Sequence, residues 1–136
     1  MSTFSHGDYE AAVDSAIRTR RDLLAILPPT VADIVKDGLH LATPDRCAAL
    51  RLLAAIRNDG WWAAVGPYEI KPWELLAVSA ARFYGKRENT LIKLAAQFLT
   101  WDLQVRLPVA MRHLDEDEDF LVFVDALRLS REGLES

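Results

Sequence analysis

Cysteine is almost missing from this sequence: Cys47 stands alone, so no disulfide can form within the chain. The fold must therefore rest on its core. A length of 136 residues suffices for that, since a chain of this size buries roughly two-thirds of its unfolded surface. Cys47 lies in an apolar helical stretch, which predicts an inert buried thiol and not a nucleophile. Histidine is scarce too. His6, His40 and His113 have no Cys or His neighbour at ligand spacing, which excludes a zinc motif. No uncharged stretch approaches the ~20 residues that span a bilayer. Met1 to Asp22 carries charges of both signs and no apolar run, unlike a secretory leader. A cytoplasmic protein is the expectation.

Local catalytic signatures are also lacking. There is no G-x-S-x-G elbow, no H-E-x-x-H and no Cys-His pattern. Gly85-Lys86-Arg87 lacks the upstream glycine and the hydroxyl residue of a phosphate-binding loop. The acidic run Asp115-Glu116-Asp117-Glu118-Asp119 has neither the alternation nor the central glycine of a calcium loop. No catalytic residue, cofactor or metal is expected. An active site assembled in space from distant residues would leave no such trace.

What is present is ordinary globular material, 51 % hydrophobic and 26 % charged. One domain over 1–136 is expected. The net charge of −4 is unevenly spread, with a basic middle (61–112) and an acidic end (113–136) that suit attraction within one molecule or between two. Arginine outnumbers lysine twelve to four, a bias that GC-rich coding explains as well as phosphate recognition does.

The periodicity reads as all-α, with five to seven helices packed around a central apolar one at about 90–107. A first helix opens at Ser5 and gathers Tyr9, Val13, Ile17, Leu23, Leu24 and Leu27 on one side until Pro28-Pro29 ends it. Arg20 falls inside that stripe, either snorkelling at its edge or meant for a partner's carboxylate. Thr30 to Asp37 predicts a short second helix stopped by Gly38. Thr43-Pro44-Asp45 is the clearest helix start in the chain, running on to Gly60. Pro72 restarts a helix that stops at Gly85, and Gly85-Lys86-Arg87-Glu88-Asn89 reads as a loop. In 90–107, Lys93, Gln97, Thr100 and Gln104 form one polar line. Asp102 and Arg106 lie opposite it, either as a buried ion pair or where the helix leaves the core. Residues 120–129 carry strand-like composition, but Phe120, Phe123, Val124 and Leu127 share a helical face and no strand partner exists, so helix is predicted. The acids before it then form a helix N-terminus.

Three functional readings follow. The leading one is a non-catalytic protein-interaction module, self-associating or serving as a small subunit or regulator in a larger, bacterial assembly. Three of the four tryptophans cluster in the stretch 60–73, and neighbouring Trp61 and Trp62 diverge in any regular backbone. A loop folded back over the core with both rings covered is the first expectation; the alternative puts one ring in the core and the other outward, with Trp61, Trp62, Tyr68 and Trp73 as anchors for a partner and Asp115 to Asp119 pairing with a basic surface. The second reading is a nucleic-acid-associated protein in which Arg18, Arg20, Arg21, Lys86 and Arg87 contact phosphates. Residues 90–107 are too apolar for a recognition helix. The third is a small-molecule sensor with an apolar helical pocket.

Overall fold

A computed structural model describes residues 16–39, 42–56, 61–62, 85–102, 104–114 and 116–135. The protein is all-α. The described residues form six helices, α1 (Arg20–Ile26), α2 (Pro29–Val35), α3 (Pro44–Leu53), α4 (Lys86–Thr100), α5 (Leu107–His113) and α6 (Asp117–Glu132), with one isolated parallel bridge from Thr19 to Glu135.

Local chemistry explains most of these boundaries. Thr43 caps α3 as its sequence promises, accepting from the Arg46 N–H at 3.3 Å, with Pro44 in the first turn. Pro29 sits at the start of α2 in the same way. The start of α1 differs from expectation. Residues 16–18 are not helical, and Thr19 opens the helix through a capping box with Asp22: the Asp22 N–H donates to the Thr19 hydroxyl and the Thr19 N–H to the Asp22 carboxylate. The expected opening at Ser5 lies outside the described residues. Arg20 is exposed, not seated in an apolar stripe, because the helix begins at that residue.

Two further boundaries correct the periodicity. α3 ends at Leu53, short of Gly60, and Ile56 is already non-helical. α4 includes Lys86 to Asn89, expected as a loop, and stops at Thr100, well before Leu107. The expected helix from Pro72 to Phe83 lies outside the described residues. Residues 117–132 are helical, as the shared face of 120–129 predicted, despite their strand-like composition.

The core is centred on α3, which packs against both α4 and α6. Its Cys47, Ala48, Ala49, Leu50, Leu52 and Leu53 are all buried. The small Ala48 and Ala49 let neighbouring helices approach closely, while Leu91, Ile92 and Leu94 of α4 and Val122, Phe123, Ala126 and Leu129 of α6 fill the sides. α4 shares the central position expected for 90–107, but with six buried positions ending at Ala96. Its last turns leave the core, which is why Asp102 and Arg106 are exposed and unpaired with one another.

Candidate functional site

Trp61 and Trp62 are both buried, at 0 % and 8 % exposure, and their rings meet edge to face at 4.7 Å. The Trp62 indole N–H donates to the Ile56 carbonyl at 2.9 Å. Both rings are thus covered, the arrangement expected first, and the alternative of one ring outward does not hold for this pair. Edge-to-face stacking lets two diverging neighbours enter one core together. Tyr68 and Trp73 lie outside the described residues.

Among the described residues, the tryptophan that faces outward is Trp101, 81 % exposed. Its position is built by the end of α4. The Thr100 hydroxyl donates back to the Ala96 carbonyl at 2.8 Å and accepts from the Asp102 N–H at 3.1 Å. The Gln97 side-chain oxygen then accepts from the backbone N–H groups of Gln104 and Val105, folding the chain back on the helix. Between these anchors Trp101 adopts a left-handed backbone, φ 65° and ψ 4°, while its N–H closes the last turn on the Gln97 carbonyl. A bulky residue at positive φ is uncommon and costs about 1–2 kcal/mol. The side-chain bonds of Thr100 and Gln97 hold it there.

Beside Trp101 lies an open cleft of about 340 Å³. Leu94 and Phe98 of α4 form one wall, and Phe123, Leu127 and Ser130 of α6 the other. From Leu127 the apolar surface continues along α6. Phe120, Val124 and Leu127 are 42 %, 40 % and 46 % exposed, spaced four and three residues apart so that they share one side. The face of 120–129 that turns inward is Val122, Phe123, Ala126 and Leu129, so only Phe123 of the expected stripe is buried. Helix α6 is apolar on two sides, and one of them has no cover among the described residues.

The charged groups nearby are largely committed to structure. Asp125 is buried and accepts from the Ile17 N–H at 3.1 Å, Arg51 Nε at 2.8 Å and Arg128 Nε and Nη2 at 3.1 and 2.9 Å. Arg128 also donates to the Ile17 carbonyl, so α6 grips the extended segment before α1 by both backbone groups. Asp119 is 2 % exposed and pairs with Arg87 Nε at 2.7 Å, while Arg87 Nη2 donates to the Ala55 carbonyl. The Asp119 hydrogen bond holds the Arg87 guanidinium above its usual range. Burial pushes the Cys47 thiol up, away from reactivity. Thr90, also buried, shares a 3.0 Å hydrogen bond with His113 Nδ1. Among the described residues no group of three metal-ligating side chains converges, and no helix is long and apolar enough to cross a membrane.

The other sequence-predicted residues are distributed as follows. Among the described residues of the acidic run, Glu116 stands at the N-cap position of α6 without a side-chain bond to it, Asp117 is half-buried, Glu118 is exposed and Asp119 is buried. Asp115 lies outside the described residues. Arg18, Arg20, Arg21 and Lys86 are exposed. Arg87 is not available to a phosphate, because it is spent on Asp119, Glu88 and the Ala55 carbonyl.

Sequence reasoning missed Trp101, which periodicity assigned to a buried helix, and it placed Phe120, Val124 and Leu127 on the same face as the core residue Phe123. The signal that could have found them is excess. FLVFVDALRL carries more apolar residues than a single stripe of about 100° can hold. Comparison with protein-family models, with curated proteins and with solved structures finds no match.

Proposed function

We propose that the protein is a non-catalytic protein-interaction module, a small subunit or regulator of a larger assembly. Its contact surface is the face made by Trp101 and the outer side of α6. One observation carries this reading: a tryptophan that is 81 % exposed in a left-handed backbone, fixed on both sides by side-chain hydrogen bonds. Such an arrangement spends stability to hold a large ring in water, and a partner that buries the ring returns it. The apolar side of α6 extends the surface, and the exposed Glu116 and half-buried Asp117 give it a polar rim. The buried Asp119 and Asp125 and the half-buried Arg87 and Arg51 are taken up by each other and by backbone, which suits a scaffold better than a catalyst.

The test is capture of the tagged full chain from its native cells, in extract with and without nuclease, beside the Trp101→Gly variant. A protein recovered with the native chain and lost with the variant, at an unchanged melting temperature, supports the reading. Recovery that ignores Trp101, or that disappears with nuclease, overturns it and favours phosphate contacts by Arg18, Arg20, Arg21 and Lys86.

A further inference from the structure

The apolar side of α6 has a polarity that identifies what covers it. Read from its N-terminus, the outer stripe runs Asp117, Phe120, Val124, Leu127, Arg131, the first half-buried and the others exposed, with steps of three, four, three and four residues. That alternation is the spacing of a two-helix seam. Acid stands at one end, cation at the other, and three apolar side chains lie between. Neither Asp117 nor Arg131 makes an ion pair or side-chain hydrogen bond among the described residues, whereas Arg128, one turn back, is held by Asp125 and Glu132.

A stripe ordered in this way is complementary to its own reverse. Resting on the interaction reading above, we propose that its occupant is a second copy of the chain, docked about a two-fold axis with the two α6 helices antiparallel. In this register Val124 of each copy packs on Leu127 of the other, and the Arg131 side chain lies over the Phe120 ring of the other copy. Asp117 is one further step along, about 4.5 Å of helix rise, within reach of the same guanidinium. The isologous contact uses every element twice, and the antiparallel helix dipoles attract.

The cleft completes the fit. Its α6 wall is Phe123, Leu127 and Ser130, next to Arg131. Phe120 of the second copy, aligned with Arg131, therefore stands at the cleft mouth with Trp101 beside it. A purely basic partner helix would satisfy Asp117 and Glu116 but would set like charge against Arg131. A parallel self-pairing would stack acid on acid. Of these three, only the antiparallel second copy satisfies both ends.

Sedimentation of the full chain across a concentration series, at low and moderate salt, tests this directly. A reversible dimer is expected. Leu127→Glu should weaken it about thirty-fold or more, with a melting temperature close to that of the native chain measured as monomer. Arg131→Glu alone should weaken the dimer, and Arg131→Glu combined with Asp117→Arg should restore it, because the exchange preserves the antiparallel pairing. A chain that stays monomeric at every concentration overturns the proposal, and so does a dimer indifferent to Leu127→Glu. A dimer that Arg131→Glu leaves unchanged overturns the register. If a different protein is still captured through Trp101 by a monomeric chain, the interaction reading stands and only the second copy fails.

Discussion

Asp125 shows how much a single buried carboxylate organises here. It gathers the Ile17 N–H, Arg51 and Arg128 onto one side chain, joining α3, α6 and the segment before α1. Removing it strands two guanidinium groups and a backbone donor. Asp125→Ala is expected to cost about 3–5 kcal/mol in urea unfolding. The double replacement Arg51→Met with Asp125→Leu should cost clearly less, since a buried pair replaced by apolar groups loses its desolvation penalty too. A double variant as unstable as Asp125→Ala would contradict this account. Asp22 acts at the same scale. Backbone N–H groups of Arg18 and Thr19 hold its carboxyl below the ordinary value of 3.8. A depressed pKa contributes stability above the unfolded value, which is lost as pH falls through the folded one. The melting temperature of the native chain should therefore drop more steeply below about pH 4 than that of Asp22→Asn, and superimposable acid limbs would show the capping box to be indifferent to that charge. None of this pairing was legible in the sequence. Asp125 follows Val124 in an apolar run and meets Arg51 from 74 residues away, a distance that no local pattern spans.

At the scale of the element, a boundary set within one turn was easier to read than one set by a distant contact. Thr43-Pro44 announces α3 because a cap and a fixed φ act within one turn. The end of α4 depends instead on Gln97 reaching Gln104 and Val105, seven and eight residues away, and on a tryptophan accepting positive φ. Periodicity carried the helix straight through that point. Trp101→Gly should leave urea stability unchanged or raise it by up to about 1 kcal/mol, the relief of left-handed strain set against glycine's freedom in the unfolded chain. A loss larger than that would mean the ring braces the fold and is not held out for a partner. The C-cap of α6 already uses the glycine solution: Gly133 has φ +72°, and an added Cβ there would both strain the backbone and touch Pro44 at 3.5 Å.

For the whole molecule, the packing around α3 separates residues that composition cannot tell apart. Leu53 and Leu127 are chemically identical, yet one is 0 % and the other 46 % exposed. Leu53→Ala should destabilise the chain by about 2–5 kcal/mol, while Leu127→Ala should change the stability of the monomer by less than about 0.5 kcal/mol. Similar losses for both, measured by urea unfolding under monomeric conditions, would place Leu127 in the core. The sequence by itself determined the helical class, the cap at Thr43 and the buried thiol of Cys47, because caps and periodicity act over a few residues. It also located the acidic first turn of α6. The tertiary structure alone decided which of two apolar sides of α6 turns inward, that Trp61 and Trp62 meet edge to face, and that Trp101 stays in water. Each of those depends on which distant surface arrives first to cover an apolar side chain, and hydrophobicity carries no address.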